Sequence, residues 1–124
     1  MLAHEQKKKL ETILSKNWGS HTDAESNIVM VFTATAFLNG DFDILFESGF
    51  HPEGLAESFE AIGHRMAAYT VRLAYRVYRH NAEDPALKLL ADAVGLMEDS
   101  INTLLGEYVE STTASDSQPR FPVP

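Results

Sequence analysis

Cysteine is absent from this sequence, which excludes disulfide bridges and thiolate metal sites and agrees with a reducing compartment. No run approaches the ~20 apolar residues of a membrane span. The opening Met-Leu-Ala-His-Glu-Gln-Lys-Lys-Lys is charged and lacks a following apolar stretch of signal-peptide length. A cytoplasmic location without membrane contact is therefore expected. Net positive charge is also missing: 18 acidic against 10 basic residues leave −8, which disfavours nucleic acid and anionic lipid as partners. Phosphate-cradling loops of the Gly-x-x-x-x-Gly-Lys or Gly-x-Gly-x-x-Gly type do not occur, nor does a Gly-x-Ser-x-Gly elbow. Nucleotide-loop and serine-hydrolase chemistry therefore lack their motifs.

What is present is helical periodicity. A chain of 124 residues is one domain, long enough to remove roughly two thirds of its unfolded surface from water. Near its end, Leu87, Leu90, Val94, Met97, Ile101, Leu104 and Tyr108 recur at spacings of 3 and 4. This heptad rhythm keeps one stripe of a helix against a partner. Leu55, Phe59, Ile62, Met66, Tyr69 and Leu73 follow the same rhythm, with Val77 one position off. Two matching stripes with a short link predict an antiparallel, coiled-coil-like hairpin.

Read in order, the chain predicts helices over about 2–17, 23–38, 42–48, 53–80 and 85–110. Thr22-Asp-Ala-Glu25 has the form of a capping box. The run from Ile28 to Leu38 is apolar nearly all round and rich in β-branched residues. A helix is preferred there because the chain offers no second strand-like run to pair with. Asn39-Gly40 supplies a stop and Asp41 a cap. Pro52 and Pro85 suit first helical turns, where a missing N–H is no loss. From Ser111 the sequence turns to Ser, Thr and Pro, so residues 111–124 read as a disordered tail. Its Pro119-Arg-Phe-Pro122 matches PxxP only formally. The predicted fold is thus all-α: a single small bundle over residues 1–110, built on the C-terminal hairpin.

Charge is segregated within that frame. Four of the five arginines (Arg65, Arg72, Arg76, Arg79) fall in one predicted helix, and Lys7, Lys8 and Lys9 in another. The final helix carries Asp92, Glu98, Asp99, Glu107 and Glu110. In an antiparallel hairpin, Arg72 is expected to meet Asp92, and Arg65 to meet Asp99 or Glu98, as e and g positions do in coiled coils.

The sequence assigns no metal or catalytic constellation. A carboxylate di-metal bundle needs paired Glu-x-x-His motifs, which are absent. His21-Thr-Asp-Ala-Glu25 has the His-x-x-x-Glu spacing of hemerythrin-like bundles but reads better as a helix cap. Glu60-Ala-Ile-Gly-His64 lies off the apolar stripe, with His64 expected in water. Helical ribonucleases of the HEPN type separate Arg and His by four to six residues, whereas here Arg76 and His80 have three between them and Arg72 and His80 have seven. His64 and His80 are candidate pH-sensitive contacts beside the arginines. Gly63, Gly95 and Gly106 fall inside predicted helices, where each costs about 1 kcal/mol relative to alanine, and read as sites of close packing.

By elimination, the expected function is non-enzymatic: a small acidic regulator, adaptor or inhibitor that binds protein, self-associates as a homodimer or larger oligomer, and uses no cofactor. Small acidic proteins of mobile elements that block host machinery share this character, as do many housekeeping proteins. The expected interaction face is Arg65, Arg72, Arg76, Arg79, Tyr75 and Tyr78, since aromatic surface and segregated charge are common at interfaces. Two alternatives stand beside it: a nucleic-acid-associated transcriptional regulator using the four arginines, and a ligand- or metal-binding bundle with an internal polar pocket.

Overall fold

A computed structural model describes residues 2–17, 19–38 and 42–117. These residues form α1 (His4–Leu14), α2 (Asp23–Leu38), α3 (Phe42–Glu47), α4 (Pro52–Ala61), α5 (Arg65–His80), α6 (Ala86–Leu96) and α7 (Glu98–Ser117), with no strand among them. The protein is an all-α helical bundle. No helix of the described residues is long and apolar enough to cross a membrane. Trp18 and the Asn39–Asp41 junction lie outside the described residues, as does the tail from 118 to 124 with its PxxP match.

Local chemistry accounts for the helix starts. Thr22 Oγ1 accepts from the Glu25 N–H at 3.1 Å while the Glu25 carboxylate accepts from the Thr22 N–H at 3.0 Å. This is the reciprocal cap that the spacing predicts, and the β-branched run behind it is helical. Glu25 is buried and also receives the Lys16 ammonium. Burial pushes its carboxyl pKa up, but the bonds from Lys16 and Thr22 together outweigh that and hold it below the usual carboxylate value. At α4, Pro52 occupies the first turn and His51 Nδ1 accepts from the Gly54 N–H at 3.0 Å.

The expected helix over 53–80 is two helices. Ile62, Gly63 and His64 turn the chain between α4 and α5, and Gly63 sits at φ +95°. The His64 N–H donates to the Phe59 carbonyl at 2.8 Å and the Gly63 N–H to the Glu60 carbonyl at 2.9 Å, the paired bonds of a Schellman stop. The turn folds α4 back onto α5. It also resets the helical phase. Met66 and Tyr69, assigned by spacing to the apolar stripe, are 60% and 63% exposed, whereas Ala67, Ala68, Val71 and Ala74 are buried.

The expected helix over 85–110 is also broken, at Met97, whose φ of −90° and ψ of 2° lie outside the helical well. α6 packs on α5 and α3, while α7 leaves that neighbourhood and packs on α1 and α2. The predicted pair of long continuous helices is therefore not formed: each is cut in two, and α5 and α6 are the parts that pack on one another. Of the predicted seam, Leu87, Val94 and Ile101 are fully buried; Leu90, Met97, Leu104 and Tyr108 are only partly so. Leu105 and Val109 are buried in α7 with Ile101, a spacing of four that follows the 3.6-residue period of a globular helix rather than a heptad seam. α7 also continues to Ser117, past the predicted boundary at 110.

Candidate interaction face and cleft

α5 buries Ala67, Val71 and Ala74 along one side. At 100° per residue, the side opposite carries Arg65, Tyr69, Arg72, Arg76 and Arg79. The arginines therefore stand on the outer surface, with Arg65, Arg76 and Arg79 exposed.

Arg72 is tied down, though not to the residues expected. Its guanidinium donates through Nε and Nη2 to the Glu53 carboxylate at 3.0 and 2.7 Å, and through Nη1 to Glu60 at 2.8 Å. The clamp spans α4 and α5, because the turn at Gly63 puts the α4 glutamates where the last helix was expected to be. Asp92, Glu98 and Asp99 make no ion pair with the arginines among the described residues. Hydrogen bonds from Arg72 hold the Glu53 and Glu60 carboxyls below the usual carboxylate value, and the same bonds push the Arg72 pKa up. Arg65, Arg76 and Arg79 have no ion-pair partner among the described residues.

Two members of the predicted face also pack against α3. Tyr75 and Tyr78 are half-buried against Phe46 of α3, with ring centroids 5.4 and 5.1 Å apart, and Phe46 stacks on Phe42 at 5.4 Å. This cluster holds the short α3 onto α5. The Arg79 guanidinium lies over the Tyr75 ring, 5.9 Å from its centroid. Tyr69, which the periodicity placed in the core, is the aromatic residue the face presents.

Where the end of α5 passes the start of α4, a cleft of about 650 Å³ opens to solvent, lined by His51, Glu53, Tyr75, Arg76, Arg79 and His80 among others. A second groove, between α1, α2 and α7, has an apolar floor of Leu10, Leu14, Phe32 and Leu105. Among the described residues no three His, Asp or Glu side chains converge as metal ligands.

His64, expected in water, is 8% exposed. Its Nδ1 accepts from the Ala67 N–H at 3.2 Å, capping α5, and its Nε2 lies 2.8 Å from Ser100 Oγ of α7. A backbone N–H can only donate, so Nδ1 is unprotonated and Nε2 carries the hydrogen. Ser100 in turn donates to the Met97 carbonyl at 2.8 Å. One imidazole thus links the break before α5 to the break before α7, and burial pushes its pKa down. The available sequence signal was Gly63: a glycine one residue after an apolar Ile62 fits a helix stop better than a helix interior.

No protein-family model, curated protein or solved structure matches the chain.

Proposed function

We propose that the protein is a non-enzymatic binding module that docks an acidic protein segment on the outer face of α5. The observation that carries this reading is that Arg65, Arg76 and Arg79 stand without ion-pair partners among the described residues, on a helix face that also exposes Met66 and Tyr69. Arginine and tyrosine beside exposed apolar surface is the composition of interface hot spots. Free guanidinium groups favour a carboxylate-rich partner. Self-association belongs to the same reading. Leu89 and Leu96 lie on one side of α6 and are 70% and 90% exposed, and covering them removes apolar surface from water.

The test is a titration of the isotope-labelled protein with a short Asp/Glu-rich peptide containing one leucine, followed by NMR. Salt-sensitive shifts confined to α5 are expected, with Lys7, Lys8 and Lys9 of α1 as the internal control for non-specific attraction. An Arg65→Glu, Arg76→Glu variant should lose the shifts. Shifts centred on the lysines, or unchanged in the variant, refute the reading.

The unpaired arginines also favour a second reading, a nucleic-acid-associated regulator. Against it, Glu53, Glu57 and Glu60 are exposed on α4 beside the arginines, so a continuous phosphate backbone crossing α5 would meet them. DNA or RNA binding with a steep salt dependence, lost in the same variant, would replace the first reading with this one.

A further inference from the structure

We propose that the cleft between the start of α4 and the last turns of α5 is a phosphoryl-binding subsite that takes a phosphorylated side chain of the docked segment; this rests on the protein-docking reading of α5.

Four observations converge on it. First, Arg76 and Arg79 line the cleft and have no ion-pair partner among the described residues, while the third guanidinium there, that of Arg72, is occupied by Glu53 and Glu60. Two free positive charges match the charge of a phosphomonoester, which approaches −2 at neutral pH. Second, Arg79 lies over the Tyr75 ring, which is itself wedged against Phe46. A guanidinium held over a packed ring has fewer conformations to lose on binding. Third, His51 uses Nδ1 to accept from the Gly54 N–H, so its Nε2–H remains a donor, and His80 lines the same cleft. Fourth, the one carboxylate of the lining, Glu53, is already bonded to Arg72.

The donor count selects phosphate over carboxylate. Two guanidinium groups present up to ten N–H donors in planar forks, and the imidazoles add to them. Three phosphoryl oxygens can accept from several of these at once, whereas a carboxylate has two oxygens. The same geometry disfavours a polyanion, because Glu57 and Glu60 are exposed further along α4, outside the cleft, where a strand of phosphates would meet them and a single compact dianion would not.

The experiment uses the full chain and four probes: inorganic phosphate, an Asp/Glu-rich peptide with one phosphoserine, its unphosphorylated twin, and phosphoinositide-containing vesicles. Inorganic phosphate should give saturable NMR shifts at residues 51–54 and 75–80 and none that saturate at Lys7–Lys9. The phosphopeptide should bind at least about tenfold more tightly than its twin, a difference of about 1.4 kcal/mol. In an Arg76→Gln, Arg79→Gln variant that advantage should fall to within about twofold. Both side chains are exposed, and an unchanged melting curve for the variant confirms that the fold is intact. Equal affinity for the two peptides overturns the phosphoryl assignment while leaving acidic docking standing. Failure of both peptides to bind overturns the docking reading and the subsite together. Phosphate shifts that never saturate overturn the subsite, and so does binding of the vesicles alone.

Discussion

Replacing His64 perturbs both helix breaks at once. His64→Ala removes the acceptor for the Ala67 N–H and the donor to Ser100. Loss of an N-cap costs about 1 kcal/mol, and loss of a neutral hydrogen bond costs about as much again. With the cavity left by a mostly buried ring, the expected destabilisation is about 2–3 kcal/mol. His64→Asn should cost roughly 1 kcal/mol less, since asparagine is a strong N-cap and its side-chain oxygen can still accept from Ala67. In a double-mutant cycle, His64→Ala and Ser100→Ala should couple by about 0.5–1 kcal/mol. The pH dependence has a definite sign. Burial depresses the folded-state pKa of His64 below the ordinary histidine value of about 6.5, so the unfolded chain takes up the proton first. Stability from this group is full above pH 6.5 and declines as pH falls from there towards the folded pKa, with a slope of at most about 1.4 kcal/mol per pH unit. Urea denaturation followed by circular dichroism at a series of pH values between 8 and 5 measures both quantities. The reasoning is refuted if His64→Ala costs less than about 0.5 kcal/mol at pH 8, or if His64→Asn keeps the wild-type slope below pH 6.5.

Glu25→Ala should destabilise by about 2 kcal/mol in thermal melts, because it strips the α2 capping box and leaves Lys16 without its carboxylate. The carboxyl pKa of Glu25 is lowered from 4.5, so its contribution is present above that value and lost as pH falls through the folded pKa, a window separate from that of His64. Gly95→Ala should stabilise by up to about 1 kcal/mol, since an added Cβ meets nothing within 4 Å on an exposed helical position. Gly63→Ala should destabilise by about 1–2 kcal/mol, because φ there is +95° and an L side chain is strained in that region. Chemical denaturation of the two variants side by side checks both signs, and the same sign for both would contradict the structure.

What the sequence determined by itself is what depends on near neighbours. The Thr22–Glu25 cap, the short aromatic α3 and the proline-led start of α4 are set by groups within a few residues of one another, while the helical state of residues 28–38 followed from the lack of any second strand-like run in the chain. The grouping of four arginines on one helix face is likewise local, because helical spacing alone dictates it. The tertiary structure decided where the long stripes are cut. A seven-residue rhythm continues across a three-residue turn as easily as along a continuous helix, so Ile62 and Met66 kept their spacing while the Schellman stop at Gly63 put one in the core and the other in solvent. Once α4 folds back on α5, the α4 glutamates reach Arg72 before any residue of α6 does, and a buried imidazole becomes the junction of two breaks. Those partners lie 12 to 36 residues apart; which of them meet is fixed by how the whole set of apolar faces packs, a collective property that no short window of sequence contains.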